Sequence, residues 1–149
     1  MRGAVTVHMN APAMDVWKLV SDVRNTGRFS PEVFDAEWLD GVDEPTIGAR
    51  FRGHVKRNEI GPVYWATCRV TACQPGREFG FAVLAGERAM NNWHYEFVAS
   101  GDGTDVTESF RTIESPFLRP LEFLGYLRKR RNLRDMRTTL ERIKRVVEE

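Results

Sequence analysis

Glu108 stands between Val106 and Phe110 in an alternating run, so the strand face that buries those two side chains carries a carboxyl inward with them. A carboxylate buried alone is expensive. It has to be paired, hydrogen-bonded or held protonated with a raised pKa, unless a bulge or a solvated rim lets it reach water. The same alternation turns Asn91 and the hydroxyls of Tyr64 and Tyr95 inward. With Glu108 they would form the polar end of an otherwise apolar pocket, and a carboxyl or phenol placed there could move a proton.

Other chemistry is harder to assemble from these residues. His8, His54 and His94 fall on the outward faces of three different strands, so they do not converge on a metal or a nucleophile. Cys68 and Cys73 lie five steps apart in one strand segment, at about 3.3 Å per step, which is beyond disulfide reach. They read as reduced thiols, and no His or Cys cluster accompanies them to make a zinc or thioredoxin-like site. The sequence has no H-E-x-x-H, G-x-S-x-G, Walker A or G-x-G-x-x-G pattern. Gly101-Asp102-Gly103-Thr104-Asp105 reads as a hairpin turn rather than a calcium loop. No metal and no cofactor are expected.

The elements that position these groups follow from periodicity. Val5, Val7 and Met9 alternate with Thr6 and His8, giving a strand over residues 4–9. Asn10 and Pro12 offer an N-cap and a first turn for a short helix whose apolar side is Val16, Trp17, Leu19 and Val20. A second short helix follows Ser21-Asp22 and stops near Gly27 or Ser30-Pro31. From Phe34 to Ile113, short alternating runs separated by turn residues describe an antiparallel meander, with strands near 34–39, 49–58, 63–73, 78–84, 90–98 and 104–113.

The tail is helical from near Pro120, because an interior proline loses a hydrogen bond and clashes with the carbonyl four residues back. Leu133, Met136, Leu140, Ile143 and Val147 form one apolar stripe, with Arg131, Arg134, Arg142 and Arg145 on other faces. Apolar residues between 117 and 127 point all round the axis, and Gly125 among them suggests a close approach by another segment or a ligand.

The chain has 149 residues, 42% hydrophobic and 29% charged, which suits one domain with one core. No stretch approaches the roughly 18 apolar residues of a membrane span, and the first residues lack a signal core, so a cytoplasmic location is expected. Residues 128–149 carry nine Lys/Arg against four Asp/Glu, although the whole chain is only +1. That basic run reads first as a solvated helix face, and only second as a contact for nucleic acid or an anionic surface.

A strand, two short helices, a six-strand meander and a long terminal helix is an order with a familiar look. The residues Ala11-Pro12 with Val16-Trp17 and Ser21-Asp22, Gly48 opening a strand, Gly103-Thr104 with Val106-Thr107, and Thr139-Leu140 with Ile143-Lys144 strengthen it. In these pieces, spread over almost the whole length, the chain resembles the START/Bet v 1-like (SRPBCC) superfamily, in particular its bacterial polyketide cyclase/dehydrase and lipid-transport branch. The resemblance implies an α+β helix-grip fold: a seven-stranded curved antiparallel sheet wrapped around a long C-terminal helix, enclosing a cavity. It also implies ligands such as lipids, hormones or polyketides, but no universal catalytic set.

Alternation then names the wall of that cavity: Phe51, Tyr64, Cys68 and Phe81, with Asn91, Trp93, Tyr95, Glu108 and Phe110. Phe34, Ala36 and Trp38 are assigned to the same face. Ligand access is placed near Phe29 and Val33 and the 117–127 turn, with Leu121 and Leu124. These rings either surround a hollow or interlock into a filled core. The first function class is binding or transport of a small hydrophobic or amphipathic ligand. The second is a cyclase or aromatase acting through Glu108 or a tyrosine. The third is an interaction module using the basic helix.

Overall fold

In a computed structural model, residues 1–56, 62–112 and 122–149 are described, 122–124 by backbone alone. The chain runs β1 (Arg2–Met9), α1 (Ala13–Ser21), a 3-10 helix (Val23–Arg28), β2 (Val33–Trp38), β3 (Arg50–Lys56), β4 (Val63–Gln74), β5 (Glu78–Ala85), β6 (Arg88–Ser100), β7 (Gly103–Thr112) and α2 (Glu122–Val147). The strands form one antiparallel curved sheet in the order β1-β7-β6-β5-β4-β3-β2. Strands β2 to β7 are a meander of neighbours, and β1 closes the order beside β7. This is the helix-grip architecture.

Two glycines fix the β6–β7–β1 corner for different reasons. Ser100 pairs with Gly103, so Gly101 and Asp102 make a two-residue hairpin, and Gly101 takes a φ of 58°. Gly103 lies where β1 passes: a Cβ there would sit 2.1 Å from the Met9 carbonyl oxygen. Beside it, the buried Thr104 hydroxyl donates to the Ala11 carbonyl at 2.7 Å and ties the start of β7 to the turn into α1.

Helix α2 seals this end of the molecule. Met136, Leu140 and Ile143 are buried at i, i+4 and i+7 and join the core of Val5, Val7 and Met9. The stripe read from the sequence is therefore the seam between helix and sheet, and its main strand partner is β1. Lys144 donates to the His8 carbonyl at 3.2 Å and Asn10 donates to Glu148 at 3.1 Å, holding the last turns of α2 against the end of β1.

Several expectations need correction. Asn10 does not cap α1: Pro12 occupies the N-cap with no side-chain cap bond, and Asn10 turns to Glu148. Phe34 faces outward, 50% exposed with its ring 4.4 Å from His54, because the β2–β3 register shifts between Val33 and Asp35. One irregular step reverses the side of every residue before it, which strict alternation cannot foresee. At Gly125 no described residue lies within 4 Å of a built Cβ, so none of them makes the close approach expected there. The readings at residues 113–121, including the start at Pro120, lie outside the described residues.

The α2 seam sets a stability expectation. Leu140 is fully buried, so Leu140→Ala should lower unfolding free energy by about 2–5 kcal/mol in urea titration. A loss below 1 kcal/mol would mean the helix does not depend on this seam.

Candidate functional site

Beside that seam, α2 presents a second face, Asn132, Asp135, Met136 and Thr139, at spacings of three and four. These side chains look across at the sheet without filling the space, and a cavity of about 180 Å³ remains. A dry hollow of about 150 Å³ holds a benzene-sized guest, so this one has room for at least a substituted ring. Of the two packings open to the aromatic residues, the hollow is the one present.

The wall comes from period-two faces of adjacent strands. Phe51 of β3, Tyr64 and Cys68 of β4 and Phe81 of β5 line it, with Asn91, Trp93 and Tyr95 of β6 and Glu108 of β7. Phe29 and Val33, assigned to the access region, line it too. The rings brace one another, with Phe51 and Phe81 edge-on at 5.2 Å. Tyr64 is 42% exposed, so it stands at the rim and not at the polar end.

Two residues placed in the wall are absent from it. Trp38 stacks edge-on against Phe51 at 5.6 Å, behind the lining, and Phe110 packs on Trp93 at 5.5 Å and closes under Gly3 near Leu133. Both support lining residues without reaching the hollow. Leu121 lies outside the described residues, as does the side chain of Leu124.

The sequence reading missed the polar face of α2. Its signal was present in the spacing of residues 132, 135 and 139, which run beside the apolar stripe, but polar residues on a charged helix read as solvated. Asp135 sits 3.8 Å from Arg131, which also reaches Glu32 at 3.7 Å, so an arginine joins the helix to the segment leading into β2. The Thr139 hydroxyl donates to the Asp135 carbonyl at 2.8 Å, within its own helix.

The polar end consists of Glu108 and Tyr95, which are cross-strand partners on β7 and β6. Glu108 is 4% exposed. Burial pushes its carboxyl up to about 8, and a hydrogen bond from Tyr95 offsets only part of that. Burial, with the nearby carboxyl, also raises the Tyr95 hydroxyl well above its ordinary value. At neutral pH this is a neutral acid beside a neutral phenol. Oε1 of Glu108 is buried with no hydrogen-bond partner among the described residues. Asn91 lines the same cavity but makes no hydrogen bond to the pair.

The remaining nucleophiles and bases stand apart. Burial pushes the Cys68 thiol up to about 12, which keeps it protonated and unreactive. His8 pairs with Asp105 at 2.7 Å, His94 with Glu78 at 3.0 Å, and His54 stacks on Trp65 at 4.1 Å, none of them in the cavity wall. Among the described residues, no three His, Cys, Asp or Glu groups gather as a metal site would require.

Comparison with known proteins agrees with this architecture. A family model described as "Polyketide cyclase / dehydrase and lipid transport" matches residues 2–148. A polyketide-cyclase-like protein from Corynebacterium glutamicum, solved in solution, is 27% identical with a TM-score of 0.66, covering 99% of this chain and 91% of that one. A protein from Deinococcus radiodurans is 19% identical with a TM-score of 0.68, covering 97% and 95%. The di-domain ARO/CYC StfQ of the steffimycin biosynthetic pathway is 16% identical with a TM-score of 0.78, covering 99% of this chain and 50% of that chain. No curated protein matches.

The buried acid makes stability depend on pH. Between the ordinary carboxyl value of 4.5 and about 8, the unfolded chain releases the Glu108 proton while the folded chain keeps it. Stability from this group is full below that window, falls as pH rises through it, and is flat above. Relative to Glu108→Gln, wild-type unfolding free energy should fall by about 1.4 kcal/mol per pH unit inside the window. Parallel urea titrations at pH 5 and pH 8 read this difference, and parallel slopes would place the carboxyl in water.

Proposed function

The chain belongs to the polyketide cyclase / dehydrase and lipid transport family, and on that footing we propose that it binds a small hydrophobic or amphipathic ligand in the cavity between sheet and α2. The observation that carries this reading is the 180 Å³ hollow itself, walled by aromatic and aliphatic side chains with one deeply buried polar pair. Apolar surface removed from water there contributes about 25 cal/mol per Å², while the pair selects orientation. No helix among the described residues is long and apolar enough to cross a membrane. The free thiols of Cys68 and Cys73 fit the reducing cytoplasm in which we place the protein.

A second reading, a cyclase or aromatase, is favoured by Glu108 and Tyr95. A neutral carboxylic acid facing an apolar hollow is poised to donate a proton, and general acid catalysis of this kind contributes about 10² to 10⁴ in rate. Positioning a flexible chain between the rings would supply more. On a polyketide-type substrate, Glu108→Gln and Tyr95→Phe should each lower turnover at least tenfold. Unchanged turnover in both removes the pair from chemistry.

Binding itself is read with the neutral fluorophore N-phenyl-1-naphthylamine. Wild type should give saturable emission enhancement with one site per chain. Ala66 lines the cavity opposite Gly53 on β3, so Ala66→Phe places a ring in the hollow and should weaken binding at least tenfold while unfolding stays cooperative. Equal binding by a folded Ala66→Phe variant would show that the probe sits elsewhere.

A further inference from the structure

The hydrogen atoms at the polar end do not balance. A neutral carboxylic acid and a phenol together carry two O–H hydrogens. Glu108 and Tyr95 face each other across β7 and β6, and a hydrogen bond between them uses at most one of the two. Oε1 of Glu108 is buried and unpartnered, and Tyr95 has no described partner besides Glu108. Whichever oxygen holds the second hydrogen, it is a donor without an acceptor, and both side chains line the hollow. Leaving a buried donor unsatisfied is costly, so a bound molecule that supplies the acceptor gains what the empty protein lacks.

The other groups around the hollow restrict what that molecule is. Glu108 is faced by Tyr95 from β6. The remaining titratable groups among the described lining residues are Tyr64 and Cys68 from β4, Asp135 from α2 and Glu32 from the segment before β2. No Lys, Arg or His is among the described lining residues. A carboxylate or phosphate guest would enter a space with three carboxyl groups, two of them already engaging Arg131, and no cation among the described lining residues. An ammonium guest would find Glu108 protonated, and Glu32 and Asp135 already paired with Arg131.

We propose that this cavity selects an uncharged ligand bearing an acceptor oxygen on an apolar frame, of the ketone, ester or ether class, whose oxygen takes the free hydrogen of the Glu108–Tyr95 pair. The proposal rests on the cavity's being a binding site and narrows what that site accepts. It makes the pair a specificity determinant: the ring-lined wall accepts shape, and the pair reads oxygen.

Three isosteres test it. Acetophenone carries the acceptor, α-methylstyrene replaces the carbonyl by a carbon of the same shape, and benzoate adds a negative charge. Dissociation constants are measured by ligand-observed NMR on wild type, Glu108→Gln and Glu108→Met across pH 6 to 9.5. The ratio of acetophenone to α-methylstyrene affinity should be about tenfold higher in wild type than in Glu108→Met at pH 6, the size of one hydrogen bond whose loss leaves a buried group unsatisfied. That advantage should vanish as pH rises through about 8, where the carboxyl loses its hydrogen. Glu108→Gln keeps an N–H donor at every pH, so its advantage should persist without the pH dependence. Benzoate should bind at least tenfold more weakly than acetophenone at pH 7. If wild type and Glu108→Met give the same ratio, or benzoate matches acetophenone, the selectivity proposal falls while the cavity reading stands. If neither uncharged probe binds wild type, both fall together.

Discussion

The structure depends on where α2 touches the sheet and where it does not. Met136, Leu140 and Ile143 lock its C-terminal half onto β1, and that contact fixes the direction in which the rest of the helix runs. Because the sheet curves away, the face beginning at Asn132 meets open space and not strands. The hollow lies beside a seam confined to one face of α2, which runs along β1 from Leu133 at Gly3 to the Lys144 and Glu148 contacts with the end of that strand.

That geometry explains why Glu108 is tolerated. A carboxyl on β7 next to fully packed residues would meet only hydrocarbon, and its neutral form would still lack partners. Opposite Tyr95 and beside a cavity it has one partner and room for another. A neutral acid in an apolar wall has the chemistry either to orient a guest or to donate a proton to it.

The fold was legible because its elements are strongly periodic. Strand alternation in 50–56, 78–85 and 88–100 and the 133–147 stripe each describe a face that the structure buries. It also put Glu108 inside correctly. What escaped was of two kinds. Phe34 was lost to a bulge, a one-residue event that leaves no mark in the composition of β2. Trp38 and Phe110 were lost because alternation gives a face and not a depth: both lie inside, yet one layer behind the wall. The polar residues of α2 were missed for the opposite reason, since a helix that borders both core and cavity mixes the patterns of each.

Thr139 shows how little of the visible polarity in such a wall is active. Its hydroxyl hydrogen is already committed to the carbonyl one turn earlier in α2, so toward the hollow it offers a methyl group and spare lone pairs. In steric outline and in donor capacity it behaves as valine would, with the β-branch restricting its rotation. Of the polar residues α2 turns to the hollow, Thr139 therefore contributes a hydroxyl with no hydrogen to offer, and the donor capacity of that wall rests with Asn132.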